Sequence, residues 1–453
     1  MVKNGSKVCV IGLDGVPYTL LKEYMDKGQL PGFKKILESG FKLHQMDASI
    51  PDVSSTSWTS FMTGVNPAEH GIYGFMELAP GSYQLTFPNS SNIKAPAVWD
   101  IIGDTAKSKS STLFEKYKNR VDNGLRSIVL NIPQTYPATS LNGILTAGFV
   151  APDLKKGTYP ESAYNYLQSI GYISDVNSNK AKDDKDAFFD DLFLALEKRV
   201  VAYEHFMKNE PWDLFIGVIT ETDRLHHFFF DAAYDREHAY HSKFNEFFHN
   251  LDEAVKNLFD EFMEQTSGNG LFITLSDHGF TKIENEVYIN RWLQDEGFLK
   301  LDRKREYFDQ IDSGSTAFAL DPARIYVNID GKYPRGSVKE SEKSRIAAEL
   351  MEKLKELKGS NDKPVIREIH GNSELYDGPL AQFGPDLVCL AHDGFDLKGT
   401  LMRDEVFGKT HFTGMHTSYD AHCILPRNYN MEEKLHIEKI ADLMLHNFAN
   451  GSV

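Results

Sequence analysis

Val8-Cys9-Val10-Ile11-Gly12-Leu13-Asp14-Gly15, an apolar run closed by an acid and a glycine, decides the fold. Two later stretches repeat its pattern. Asp213-Leu214-Phe215-Ile216-Gly217-Val218-Ile219 runs into Glu221, Asp223 and His227, and Leu271-Phe272-Ile273-Thr274-Leu275 runs into Asp277-His278-Gly279. Short runs rich in Val, Ile and Phe predict buried strands of a parallel sheet. In open α/β sheets, ligands bind beyond the carboxyl ends of the strands. Three segments far apart in sequence are therefore expected to bring Asp and His to one edge of one sheet. Carboxylate oxygen and neutral imidazole nitrogen together suit zinc or a similar transition metal. An Asp after one strand is ordinary loop chemistry. Three such runs, two of them carrying His, predict a metal centre.

Outward from these strands, helix and strand signals alternate. Residues 31–39 predict a helix with Pro31 near its start and Gly40 at its end. A second helix is expected from Ser54 or Ser55 to Thr63, stopped by Gly64. Residues 126–132 predict a strand closed by Pro133, followed by a loop-rich section to about 160. Residues 173–186 read as a solvated loop. Long helices are expected over 187–209 and 238–265. Residues 281–365 read as an insertion holding a strand at 324–329 and a charged amphipathic helix at about 340–357. The core is expected to resume at Asp386-Leu387-Val388-Cys389-Leu390-Ala391, with a strand at 421–425 and a last helix at about 432–449. This alternation predicts an α/β fold, a central mostly parallel sheet flanked by helices. Residues 1–280 and 366–453 would form the core, and 281–365 an inserted cap subdomain.

The totals bound the partners. The chain has 453 residues, 41% of them hydrophobic and 25% charged, as in ordinary soluble proteins. A net charge of −16 argues against binding nucleic acid polymer or an anionic membrane. It also leaves an anionic substrate in need of local positive charge, which a bound divalent metal supplies. The apolar stretches fall short of the ~20 residues that span a bilayer. The first seven residues lead straight into a strand, so a cytoplasmic location is the expectation. Cys9, Cys389 and Cys423 sit in apolar runs and read as reduced core residues.

The segment Pro51-Asp52-Val53-Ser54-Ser55-Thr56-Ser57-Trp58-Thr59-Ser60-Phe61-Met62-Thr63-Gly64 puts hydroxyls at a helix N-terminus, where backbone N–H groups and the helix dipole favour an anion. Ser54 is either a plain N-cap or a nucleophile whose oxygen is ionised by a metal. Asp223 and His227, four apart, share a helix face. Phe228-Phe229-Phe230 is expected in the core rather than stacked on a base. His416 and His411 compete as a further ligand near the end of the chain.

These residues carry a resemblance. Ile11-Gly12-Leu13-Asp14-Gly15, Ser54, the string Trp58-Thr59-Ser60-Phe61-Met62-Thr63-Gly64-Val65-Asn66-Pro67-Ala68-Glu69-His70-Gly71-Ile72, Thr222-Asp223-Arg224-Leu225-His226-His227, Ser276-Asp277-His278-Gly279-Phe280 and Met415-His416 occur in one order. Together they resemble the type I phosphodiesterase/nucleotide pyrophosphatase branch of the alkaline phosphatase superfamily. The resemblance implies an alkaline-phosphatase-like sheet and two divalent metal ions, with zinc the usual choice and manganese the alternative. Asp14, Asp277, His278 and the Ser54 oxygen would hold one ion. Asp223, His227 and His416 would hold the other. Ser54 would be the nucleophile and carry a phosphoseryl intermediate during hydrolysis of a small phosphorylated substrate. The sequence departs from the family at Tyr73-Gly74-Phe75-Met76-Glu77, where many relatives have a phosphate-binding Asn. The backbone N–H of Ser55 is a candidate replacement.

Monoesterases neutralise a dianion, usually with an Arg near the nucleophile. The first Arg here is Arg120, which favours a phosphodiester substrate, with nucleotide pyrophosphate or phosphonate bonds as variants. Ser54-Ser55-Thr56-Ser57 lacks the Pro and Arg spacing of a sulfatase. Gly12-Leu13-Asp14 lacks the first Asp of a haloacid-dehalogenase-type phosphatase. The competing readings are a phosphomonoesterase of the same superfamily and a catalytically silent metal-binding scaffold. The insertion 281–365 and the loops around 133–160 are expected to cap the metal edge. Ser55, Arg224 and Tyr326 are the candidate substrate contacts, with Asn328 and Arg335 as further pocket-lining candidates.

Overall fold

A computed structural model describes residues 7–106, 109–121, 124–359, 362–429 and 434–450. The core elements are β1 (Lys7–Leu13), α1 (Tyr18–Asp26), α2 (Pro31–Glu38), β2 (Phe41–Asp47), α3 (Ser54–Thr63), β3 (Ser127–Ile132), β4 (Gly143–Ala147) and β5 (Thr158–Tyr159). They continue with α4 (Lys185–Asn209), β6 (Leu214–Ile219), α5 (Glu221–Phe229), α6 (His241–Thr266), β7 (Gly270–Leu275) and β8 (Gly279–Lys282). An outer region adds β9 (Ala317–Leu320), β10 (Arg324–Val327), α7 (Lys343–Lys355), β11 (Ile366–Gly371) and β12 (Leu387–Ala391). The chain closes with β13 (Gly414–Thr417), β14 (Ala421–Pro426), β15 (Leu435–His436) and α8 (Lys439–Asn450).

Nine strands form the central sheet in the order β15-β2-β14-β7-β1-β6-β3-β4-β5. Its middle, from β7 through β4, is parallel, and β14 runs antiparallel to both β7 and β2. The alternation of β1 sorts its side chains between two cores. Cys9, Ile11 and Leu13 join the cluster under α1, α2, α4 and α6, while Val8 and Val10 join the cluster under α3 and α8. Phe228, Phe229 and Phe230 all lie in the first cluster. The three cysteines are buried and free. Among the described residues no helix is long and apolar enough to cross a membrane.

Register positions the site. Leu13 pairs with Ile219 and Gly12 with Leu275, so β1, β6 and β7 leave the sheet side by side. The next residues are Asp14, the Glu221–His227 turn and Asp277. The sheet edge read from sequence is therefore one place in space.

Several expectations change. Leu387–Ala391 does not return to the central sheet. It pairs with β10 and β11 in a separate four-stranded antiparallel sheet of order β9-β10-β12-β11. A short buried Val-Cys-Leu run reads alike in either sheet, because burial on both faces erases the period-2 pattern. The apolar cluster of this outer region runs from Val287 to Leu401, with Tyr83 joining it. The loop-rich section after Pro133 contains β4 and β5, and the polar stretch 173–186 contains a short helix at Lys180–Asp183.

Candidate metal centre

The three strand ends and the β8–β13 pair bring six side chains together. Asp14, Asp277 and His278 form one group able to hold a cation, and Asp223 and His416 lie in an adjoining group with His278. His278 Nε2 is 3.6 Å from Asp14 Oδ1 and 3.4 Å from Asp277 Oδ2. Beside it, Asp223 Oδ1 is 3.3 Å from both His227 Nε2 and His416 Nε2, and the two Nε2 atoms are 3.1 Å apart. The His278 and His416 rings stack with centroids 3.6 Å apart, joining the two trios. His411, the rival ligand, stacks instead on Phe228.

All three imidazoles are aimed the same way. The Nδ1–H of His227 donates to the Gly414 carbonyl, that of His278 to the Gly279 carbonyl and that of His416 to the Asp52 carbonyl, at 3.2, 3.1 and 2.8 Å. A ring that carries only this proton presents a bare Nε2, the arrangement a metal-ligating His needs. Asp223 Oδ1 and Asp277 Oδ2 are buried and find no hydrogen-bond partner among the described residues. Burial, then the charges of Asp277 and Asp223, push the Asp14 carboxyl up. Burial, reinforced by Asp223, raises Asp277 to about 7. Burial opposes ionisation of Asp223 too, but His227, His416 and Arg224 hold it well below the ordinary carboxylate range. Burial and His416 lower His278 to about 4. Crowded carboxylates with orphaned oxygens beside bare imidazole nitrogens are a donor set that fits two divalent cations. Gly15 shapes this corner. Its N–H donates to Asp277 Oδ1 at 3.1 Å, its φ is +66°, and a Cβ would lie 2.6 Å from the Phe280 ring.

Ser54 is the first residue of α3, and Val53, in extended conformation, occupies the cap position. The Ser54 side chain does not cap. Its Oγ–H donates to Asp14 Oδ1 at 3.2 Å and its oxygen is 3.2 Å from His278 Nε2. Ser55 is also in the first turn, where backbone N–H groups lack an intrahelical partner. Gly64, at φ +65°, ends the helix as expected.

Other candidates are placed elsewhere. Arg224 pairs with Asp175 at 2.9 Å and with Asp223 at 3.2 Å, and lies over the Phe149 ring, so it braces a cluster residue. Tyr326 lines a different cavity, alongside Tyr333 and Lys332. Asn328 is buried in hydrogen bonds to Ser315 and Arg335 carbonyls and to Tyr83, and Arg335 binds Asp309. Glu221 faces away from the cluster and pairs with fully buried Arg199. His226 donates its Nδ1–H to the Gly15 carbonyl within the core. Phe75, in the segment lacking the family Asn, stacks on Phe149 with centroids 5.5 Å apart. Sequence reasoning overlooked Trp58, whose Nε1–H donates to Asp14 Oδ2 at 2.9 Å, and Thr222, whose hydroxyl donates to the Asp14 carbonyl. The signal for both was their place within the quoted motifs.

Among solved structures, the chain is similar to a phosphonoacetate hydrolase from Sinorhizobium meliloti 1021, with TM-score 0.62 and 15% identity over 98% of this chain and 96% of that one. It is also similar to murine ectonucleotide pyrophosphatase/phosphodiesterase 5, with TM-score 0.53 and 13% identity over 99% and 96%. A third similar structure is the alkaline phosphatase PafA, with TM-score 0.55 and 13% identity over 98% and 97%. At these identities the likeness establishes the fold. No curated protein sequence matches. A family profile described as Type I phosphodiesterase / nucleotide pyrophosphatase matches residues 8–420, a span that takes in Asp14, Ser54, Asp223, His227, Asp277, His278 and His416. The chain therefore belongs to the type I phosphodiesterase/nucleotide pyrophosphatase family, a family of metal-dependent phosphohydrolases.

Proposed function

We propose that this protein hydrolyses phosphodiesters with two zinc ions and Ser54 as nucleophile. Asp14, Asp277, His278 and Ser54 Oγ would hold one ion, and Asp223, His227 and His416 the other. The observation that carries the reading is the position of Ser54 Oγ, 3.2 Å from both Asp14 Oδ1 and His278 Nε2 at a helix N-terminus it does not cap. Bound metal supplies the positive charge that makes the hydroxyl nucleophilic and steadies the leaving oxygen. The chain's own groups do the rest. Asp14 accepts the Ser54 proton-bearing contact and orients Oγ. The first-turn N–H of Ser55 would be available to a phosphoryl oxygen, aided by the helix dipole. Ser54 Oγ attacks phosphorus, and water later cleaves the phosphoseryl ester.

Diester over monoester specificity rests on the arginines. Arg224 is bound to Asp175 and Asp223, and Arg324 donates to the Met76 and Asp321 carbonyls. Neither is spare for the second charge of a monoester dianion. Asp321 and Pro322 of the inserted segment border the cavity beside His227 and His416, in keeping with a cap role for 281–365.

The test is hydrolysis by metal-stripped protein reloaded with zinc or manganese. Bis-p-nitrophenyl phosphate, p-nitrophenyl phosphate and a p-nitrophenyl phosphonate are compared, the last because one similar structure is a phosphonoacetate hydrolase. The diester should be cleaved fastest, and only with metal. Ser54→Ala should keep its metal and lose the activity. Unchanged turnover in that variant would remove Ser54 from the reaction, and a preference for the monoester would overturn the argument from the arginines. No turnover in the metal-loaded wild type would favour the scaffold reading.

A further inference from the structure

We infer that the cavity beside His227 and His416 is a leaving-group pocket for a small, uncharged, apolar organic group, and that its acidic wall rejects leaving groups carrying another negative charge. The inference rests on the two-metal diesterase reading and names the substrate class within it. The cavity measures about 210 Å³. That is below the range of about 300–1,000 Å³ usual for drug-sized ligands, a size suited to an aryl or short alkyl group. Val53, Phe75, Met76, Pro322, Leu397 and Met415 make most of its surface apolar.

The charges on the wall decide the rest. Two cations, Arg367 and Lys398, stand against three carboxylates, Asp52, Asp321 and Asp396. Lys398 is paired, and Arg367 is held on one side. Lys398 Nζ is 2.7 Å from Asp396 Oδ2. Arg367 Nε is 3.0 Å from Glu368 Oε1, its Nη2 donates to Ser418 Oγ at 3.1 Å, and its guanidinium lies 4.2 Å from the centroid of the Tyr419 ring. Beyond His227 and His416, where bound metal would supply positive charge, a carboxylate or second phosphate would lose water and meet the wall's surplus negative charge. An apolar group would gain from leaving water. His227 and His416, which open onto the cavity, would hold the ion that steadies the leaving oxygen. As the Ser54 Oγ–P bond forms, the P–O bond to the leaving group breaks. That oxygen takes the electron pair and departs toward the cavity, and water then replaces Ser54 on phosphorus.

The experiment uses zinc-loaded protein with methyl p-nitrophenyl phosphate and an analogue carrying a carboxylate on the nitrophenyl ring. Wild type should favour the uncharged ester in kcat/KM by about tenfold or more. Asp396→Asn removes one negative charge from the wall and frees Lys398, so it should narrow that ratio severalfold. Ala391→Trp, at a partly buried lining position, should fill the cavity and raise KM for the uncharged ester without changing zinc content. Equal kcat/KM for the two esters in wild type overturns the inference, as does a ratio unmoved in folded Asp396→Asn or an unmoved KM in folded Ala391→Trp. In each of those cases metal-dependent diester cleavage still stands. Loss of metal dependence itself would bring down the underlying reading and the pocket together.

Discussion

Asp14 is held at every polar atom. Oδ1 faces Ser54 and His278, Oδ2 accepts the Trp58 indole N–H at 2.9 Å, and the main-chain oxygen accepts the Thr222 hydroxyl. The indole reaches Asp14 because Gly12 leaves room for it. A Cβ on Gly12 would lie 2.4 Å from the Trp58 ring. Outer hydrogen bonds of this kind aim a ligating carboxylate, and losing one typically costs about 10–100-fold in metal affinity or activity. Trp58→Phe keeps most of the ring and deletes the donor, leaving Asp14 Oδ2 buried and unpaired at a cost of about 1–3 kcal/mol. The expected outcome is a folded protein that gives up zinc to a chelator more readily and turns over roughly tenfold more slowly. Zinc retention and kcat equal to wild type would mean that the indole only packs. Gly12→Ala should reproduce the weaker retention by displacing the ring.

At the scale of elements, two helix starts deliver the chemistry, and each is fixed from behind. The N-terminus of α3 brings Ser54, and α5 brings Asp223 in its first turn and His227 one turn later. Helix α5 is pinned to α4 by the pair Arg199–Glu221, 0% and 1% exposed, with Tyr172 and the Ile173 carbonyl completing the guanidinium's partners. Removing one partner of a buried pair leaves an uncompensated charge and costs about 3–5 kcal/mol. Arg199→Met should therefore lower the unfolding free energy from urea melts by that amount and loosen metal binding through Asp223. The double variant Arg199→Met with Glu221→Gln should recover part of the loss, and no recovery would mean packing rather than charge dominates. This pair also shows where sequence reading stops. Asp14, Asp223, Asp277 and their histidines were legible because each follows its strand within a few residues. Glu221 read like a ligand for the same reason, and only its partner 22 positions earlier, invisible to a local pattern, turns it inward. Ser54 likewise read as cap or nucleophile, and only the fold, which puts Val53 at the cap position and His278 beside Ser54, removes the cap reading. The assignment of Leu387–Ala391 failed because pairing, not composition, chooses the sheet.

The whole molecule carries a net charge of −16, yet it buries histidines that must stay neutral. His70, in the His-Gly-Ile string, is fully buried; its ring accepts the Ile72 N–H at Nδ1 and meets Ser60 Oγ at Nε2, 3.1 and 3.0 Å away. His422, on β14, donates its Nδ1–H to the Val16 carbonyl. Burial lowers His70 to about 3 and His422 to about 4. In the unfolded chain both titrate near the usual value of about 6.5. A base with a depressed folded pKa binds fewer protons folded than unfolded, so its contribution is intact above pH 6.5 and is lost as pH falls toward the folded value. His70→Asn isolates one such group, because Asn can still accept the Ile72 N–H but takes up no proton on unfolding. Measured on metal-stripped protein, so that metal release does not enter, the variant should be less stable than wild type at pH 8. Below pH 6.5 the gap should narrow by about 1.4 kcal/mol per unit of pH, since only wild type must expel that proton to fold. Urea melts of both proteins at pH 8, 6 and 5 read this directly. A gap that stays constant across the three would show that His70 is protonated inside the fold.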